Sequence, residues 1–445
     1  MRALSSFPRP ASGTKRGIHL WPLLEHPTGV ALASWVDLLV QMHIGWAVVL
    51  DRGGVGRDGR TSSQETCEAL LARGIVPIVR NYRGVPNPGR LSQDELAAVK
   101  VLIRAGVRYF QPNNEPNLPG EWKDGHWVPG GNPEAVMVDW VEDALAICYQ
   151  GGIPLFPPLA PCGHHKESGS IPWHSRAIAW LKQNRFTEMG LLINEGLGLA
   201  VHDYALNHWY RDEKGVWHFE YPNDPIAQAR EPGVTVMDYD NGVTGWRALD
   251  NLFSKTFGVH VPILATEGGI PPKKDWYQED AGYPGYGDKE QAEGTVAMYN
   301  WVELQTPPWY FCLASWLLCD RAAGGKGDWE ENAWVQKDRT LPVVEAMKVA
   351  PPAPPAQGQP TVPVETPDAI SRGVRLRSWE SRGVQFNPGA ALYKKAQTEN
   401  LGAPLGPEKE AKLSGSGKTI LWQEYALGIV WCFYGDWENV EVVKW

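Results

Sequence analysis

Residues 46–82 read WAVVLDRGGVGRDGRTSSQETCEALLARGIVPIVRNY. Two apolar runs, WAVVLD (46–51) and IVPIVRNY (75–82), flank a stretch whose apolar residues recur at helical spacing and which stops at glycine. Ser62 and Glu65 have the spacing of a capping box, which predicts the helix start there. Strands that are apolar throughout, rather than alternating, are buried on both faces. A helix between two of them is the crossover of a parallel pair.

The same unit recurs outward in both directions. Further strands are predicted at GIHLW (17–21), VRYFQPNNE (107–115), IPLFPPLAP (153–161), LGLAVHDY (197–204), VPILATEGG (261–269) and FCLASWLLCD (311–320). Helical patterns such as SQDELAAVKVLIRAG and NPEAVMVDWVEDALAICYQGG lie between them and also end at glycine. Eight such units predict an α/β fold, a (β/α)8 TIM barrel. The competing architecture, a doubly wound open sheet, would want a Gly-rich phosphate turn after the first strand, and none is there. The connection after the sixth strand, 205–243, is unusually long and holds Trp209 and Trp217. Loops of that length are commonly functional.

With 445 residues the chain exceeds one barrel. Residues 349–371, VAPPAPPAQGQPTVPVETPDAIS, read as an extended proline-rich linker. Residues 1–348 then form the barrel domain, and 372–445 a small α+β unit. In that unit FNPGAALYKKAQTENLGAPLGPE reads as a helix running into a glycine turn, and TILWQEYALGIVWCFYGDWENVEVVKW as strand pairs.

Composition narrows the function classes. A formal charge of −9 and a pI near 5.7 argue against a nucleic-acid partner, and no apolar run has membrane-spanning length. The N-terminal MRALSSFPRPASGTKRG lacks the apolar middle of a signal peptide. The six cysteines show no paired spacing and read as mostly buried thiols. Cys162, His164 and His165 in CGHHKE are conceivable zinc ligands, but adjacent histidines rarely converge on one ion. There are 22 tryptophans, a surplus that suits flat aromatic platforms for sugar rings as well as a core.

Glu115 in YFQPNNEPN and Glu267 in ILATEGG close the fourth and seventh predicted strands, so both belong to the C-terminal mouth of the barrel. Two carboxylates facing each other there are what glycosidic bond cleavage needs: one protonates the leaving oxygen, and the other attacks the anomeric carbon or activates water.

The pair NNEPN and TEGG, in this strand order, resembles the clan-A retaining glycoside hydrolases of the family 5 and family 39 type. That resemblance implies Glu115 as acid/base and Glu267 as nucleophile. It implies Asn114 as the contact to the sugar 2-hydroxyl, His202 and Tyr204 of VHDY as site residues with Tyr204 donating to the nucleophile, and Trp316, inside the eighth predicted strand, as the floor beneath the cleaved sugar. Family 5 commonly ends its second strand with arginine and its third with histidine. Here those ends read VVLDRGG and IVRNYRG, so Arg80 or Arg52 is left to supply positive charge near the nucleophile. The C-terminal LGAPLGPE and WQEYALGIVWC are similar to LGFP-type repeats of bacterial surface and secreted proteins.

The expectation is a retaining hydrolase of a β-linked oligo- or polysaccharide, monomeric and secreted, needing neither cofactor nor metal. In it, the charge of Glu267 would keep Glu115 protonated. An inactive carbohydrate-binding barrel and a cell-wall-directed glycosidase are the alternatives.

Overall fold

A computed structural model describes residues 2–351, apart from 85, 88, 166–167, 273–279 and 325–326. It also describes 391–399, 409–412, 419–425, 428–433, 436 and 439–444. The chain divides into two compact units, one carrying the barrel and one the C-terminal sheet. Most of the expected linker, and LGAPLGPE, lie outside the described residues.

The first unit alternates strands and helices as expected. In chain order they are β1 (Arg16–His19), α1 (Gly29–Gln41), β2 (Trp46–Asp51), α2 (Gln64–Ala72), β3 (Val76–Asn81), α3 (Gln93–Arg104), β4 (Tyr109–Gln111) and α4 (Pro133–Tyr149). Then come β5 (Ile153–Phe156), α5 (Ser170–Asn184), α6 (Phe186–Glu195) and β6 (Gly198–Tyr204). The long connection contributes a hairpin, β7 (Tyr210–Arg211) and β8 (Trp217–His218), and the short α7 (Pro225–Arg230). The unit closes with α8 (Trp246–Phe257), β9 (Ile263–Gly269), α9 (Asp288–Gln305), β10 (Tyr310–Ser315) and α10 (Pro342–Val349). Eight parallel strands pair in the closed order β1-β10-β9-β6-β5-β4-β3-β2, a (β/α)8 barrel.

Alternate side chains fill the barrel: Trp46 and Val48 of β2, Val76 and Ile78 of β3, Tyr109, Leu155, Ala200, Leu264, Cys312 and Ala314. The N-terminal segment seals the lower end. Phe7 packs on Phe311 with centroids 6.1 Å apart, and Tyr109 Oη donates to the Pro8 carbonyl at 2.7 Å.

Three expectations need correction. The fourth and fifth ladders stop at Gln111 and Phe156, short of the predicted 115 and 161, because Pro112 and Pro157 have no N–H to continue them. Glu115 therefore stands four residues beyond its strand. Likewise β10 ends at Ser315, so Trp316 lies just past the strand rather than inside it. The capping box belongs to α3 instead of α2. Glu95 N donates to Ser92 Oγ at 3.2 Å, and Ser92 N donates to Glu95 Oε2 at 2.7 Å. The hydroxyls of Ser62 and Ser63 are taken by Asp51 Oδ2 at the end of β2, 3.2 and 2.5 Å away, so α2 begins without a side-chain cap.

The second unit holds α11 (Ala391–Thr398) and four antiparallel strands in sequential order: β11 (Lys409–Lys412), β12 (Thr419–Tyr425), β13 (Gly428–Phe433) and β14 (Glu441–Lys444). Leu392, Ala396, Leu421, Tyr425, Val430 and Cys432 form its core. Among the described residues no helix is long and apolar enough to cross a membrane.

Candidate active site

Continuing the inward alternation by one step puts a polar layer on top of the apolar one. His19 follows Gly17, Arg80 follows Ile78, Gln111 follows Tyr109, His202 follows Ala200 and Trp316 follows Ala314, each two residues on. Glu267 breaks the parity, since it is three residues beyond Leu264. The register explains this. Val201 pairs with Ala265 but His202 with Glu267, so Thr266 is an extra residue and the bulge turns Glu267 inward. The chain can then leave only through glycine. Gly268 and Gly269 have φ of +155° and +82°, and a Cβ on Gly268 would lie 2.5 Å from the Asp203 carbonyl oxygen. Glu115 also has positive φ, +34°, beyond the end of β4.

Glu267 accepts at both oxygens. Arg80 Nη1 donates to Oε1 at 2.9 Å and Tyr204 Oη to Oε2 at 2.7 Å, the pattern of an acceptor-only carboxylate. Of the two candidate arginines, Arg80 reaches Glu267, whereas Arg52 is exposed and pairs with Glu25. Burial, then the charges of Glu267 and Glu115, push the Tyr204 phenol far up, so it stays a donor.

Glu115 Oε1 lies 2.8 Å from His202 Nδ1, which is itself 3.9 Å from Glu267 Oε2. Burial pushes the Glu115 carboxyl up, but the His202 hydrogen bond and charge, together with Arg80, bring it below its ordinary value. For His202, burial acts downward and the two glutamates more than reverse it, so the imidazole is raised. The expectation that neighbouring negative charge raises the Glu115 carboxyl is corrected in direction: the hydrogen bond and charge of His202 lower it. One side-chain nitrogen or oxygen from each of Glu115, His202 and Glu267 lies within 4.8 Å of the others.

Asn114 donates to Glu121 Oε1 at 3.0 Å and accepts from Gln111 Nε2 at 3.4 Å. Trp316 is 7% exposed, with the His19 ring 4.4 Å away and the more exposed Trp329 standing edge-on at 5.5 Å. Sequence reading missed Glu121, Gln111 and His19. Inward alternation from β1 and β4 was the signal for two of them, but a loop glutamate after Pro-Gly carries none.

Of Cys162, His164 and His165, the two histidines bond apart: His164 Nε2 bonds the Met237 carbonyl oxygen at 2.6 Å, and His165 bonds Ser168 at 3.1 Å. Glu115, His202 and Glu267 are the one convergent trio of metal-capable groups among the described residues. The guanidinium on Glu267 already supplies the positive charge that a cation would bring.

No family model matches the chain, and no curated protein matches its sequence. Solved structures that resemble it include glycoside hydrolases. A monomeric β-xylosidase from Caulobacter crescentus is 15% identical over 76% of this chain and 67% of that one, with a TM-score of 0.44. A family-128 (subgroup II) endo-β-1,3-glucanase from Pseudomonas viridiflava is 15% identical over 76% and 98%, with a TM-score of 0.44. A family-51 α-L-arabinofuranosidase from Bifidobacterium longum is 9% identical over 77% and 74%, with a TM-score of 0.43. Likeness of this degree says nothing about substrate or reaction.

Proposed function

We propose that the chain is a retaining glycoside hydrolase that cleaves a β-linked oligo- or polysaccharide, with Glu267 as nucleophile and Glu115 as acid/base. One observation carries the reading: carboxylate oxygens of Glu115 and Glu267 come within 4.8 Å at the barrel mouth. Double displacement works with carboxyl groups about 5–5.5 Å apart, whereas inversion needs roughly 6.5–9.5 Å to admit a water.

In the first step a Glu267 oxygen attacks the anomeric carbon as the glycosidic bond breaks. Arg80 and Tyr204 hold both oxygens of Glu267, so the attack needs little reorganisation. One proton is shared by Glu115 and His202. It reaches the leaving oxygen through Glu115, the member of the pair that faces the cleft. Glycosylation removes the charge of Glu267. In the second step Glu115 takes a proton from water, the hydroxide displaces Glu267, and the proton returns to the pair. Trp316 would lie under the sugar ring and Asn114 against its 2-hydroxyl.

Two inversions restore configuration. Proton NMR of the first product from a β-linked substrate is expected to show the β-anomer, ahead of mutarotation. An initial α-anomer would end the double-displacement reading, and absence of turnover across a glycan panel would favour the inactive binder.

A further inference from the structure

Glu121 is a third carboxyl at this site, and the two-glutamate reaction does not use it. It ends a short turn (Pro119–Glu121) in the loop after β4, and that loop is fixed from both sides. Leu118 N donates to the Glu115 carbonyl at 2.9 Å and Glu121 N to the Leu118 carbonyl at 3.2 Å, so successive turns link the two glutamates. Asn87 grips the Glu121 carbonyl oxygen with its backbone N–H and its amide, each at 3.1 Å, and Asn113 in turn donates to Asn87 Oδ1 at 3.1 Å. Next to it Trp122 is buried and donates to the Pro116 carbonyl at 2.9 Å. A solvated loop acid would not need such a frame.

The side chain meets Asn114, which precedes Glu115. The amide of Asn114 is held at both ends, Oδ1 by Gln111 and one N–H by Glu121 Oε1. Its orientation is thereby set, and its second N–H is available to a sugar hydroxyl. Resting on the glycosidase reading above, we propose that Glu121 is a positioning residue which locks Asn114 toward the 2-hydroxyl of the sugar being cleaved.

Charge gives Glu121 a second effect. Burial pushes its carboxyl up to about 7. The Asn114 hydrogen bond and Arg80 act against that shift, while Glu115 and Glu267 add to it. Arg80 reaches in from β3, Glu115 from the loop after β4 and Glu267 from β9. Near neutral pH Glu121 thus carries part of a negative charge beside the acid/base. A negative neighbour favours the protonated state, so this charge holds the Glu115–His202 proton to higher pH than the pair would manage alone.

The test uses the full-length protein with 2,4-dinitrophenyl β-glycosides of glucose, xylose, galactose and mannose, and with their 2-deoxy-2-fluoro counterparts. The fluoro sugars replace the 2-hydroxyl oxygen that would accept from Asn114 with fluorine, a far poorer acceptor, and would accumulate as adducts on Glu267. Glu121→Ala is expected to lower kcat/KM on the hydroxyl substrate by roughly 10- to 100-fold, the worth of a charge-assisted hydrogen bond, and to change the rate of fluoro-sugar trapping by less than about threefold. The loss is expected to be no greater in an Asn114→Ala background. Glu121→Gln keeps an acceptor oxygen and the shape, so it should recover most of the rate, while on the matching unactivated phenyl β-glycosides, whose departure needs the acid, its basic pH limb should move to lower pH. Equal losses on both substrates, additivity with Asn114→Ala, or an unmoved basic limb in Glu121→Gln would each overturn the proposal. Wild-type protein that neither turns over nor is trapped by any sugar of the panel would instead remove the glycosidase reading beneath it.

Discussion

Glu115 and Glu267 are the same side chain, and their proposed roles differ only through the company each keeps. Glu267 is met by an arginine and a phenol; Glu115 is met by a histidine. Removing either carboxylate should therefore give a different phenotype. Glu267→Gly is expected to be inactive and partly rescued by azide, which enters the vacated space and gives the α-glycosyl azide. Glu115→Ala should keep activity only on activated leaving groups and yield the β-azide, because its glycosyl-enzyme forms and azide then displaces it. Product analysis by NMR checks both, and exchanged stereochemistry would reverse the assignments. His202 separates the two opposing influences on Glu115. With His202→Asn the positive partner is gone and burial remains, and burial acts upward. The wild-type basic limb of kcat/KM reports loss of the proton that the pair shares, so on an unactivated leaving group it should shift as the rate falls, whereas an unshifted limb would mean that His202 does not set the acid's protonation.

At the scale of elements, the eight strands and their order could be read from the chain because parallel strands buried on both faces leave continuous apolar runs. Strand ends were harder. Pro112 and Pro157 cut ladders that the apolar runs prolong, and the hydroxyls of Ser62 and Ser63 serve Asp51 rather than their own helix. The bulge on β9 left no mark that alternation alone could find. Strict period-two reading from Leu264 turns Thr266 inward and Glu267 out, and only pairing with β6 reveals the extra residue. Glu121 stayed invisible for a similar reason, since its neighbours Arg80 and Glu267 come from strands distant in sequence. The two glycines after Glu267 are the readable trace of that bulge. Gly268→Ala would force a Cβ against the Asp203 carbonyl oxygen in a backbone conformation that side chains avoid. A cost of about 1–3 kcal/mol in stability is expected. Because a displacement of about 1 Å at a reacting group costs on the order of 100-fold, kcat/KM should fall by about that factor. Thermal melts and kinetics on the same sample check both; a variant destabilised but fully active would mean that the bulge does not aim Glu267.

For the whole molecule, the question is where the chemically sufficient part ends. α10 belongs to the barrel: Val343, Val344 and Met347 are buried, and just beyond it Arg16 donates to the carbonyl oxygens of Ala350 and Pro351 at 2.7 and 3.1 Å. Among the described residues the C-terminal unit has its own core of six around a four-stranded sheet, and all eight barrel strands come from residues 16–315. Its face opposite that core carries Trp422 directly across from Trp431, with the Phe433 ring edge-on to Trp431 at 5.6 Å. A chain ending a few residues past Pro351 should therefore keep its kcat on a small aryl glycoside and lose rate only on an insoluble polysaccharide, where a tethered binder raises the local concentration of enzyme. A chain ending before Pro342 should not fold stably, because three buried side chains at about 1.5–3 kcal/mol each exceed much of a domain's margin. Comparing the two truncations with full-length protein on both substrates separates anchoring from chemistry. Loss of small-substrate activity in the longer truncation, with its melt unchanged, would make the C-terminal unit part of the active site.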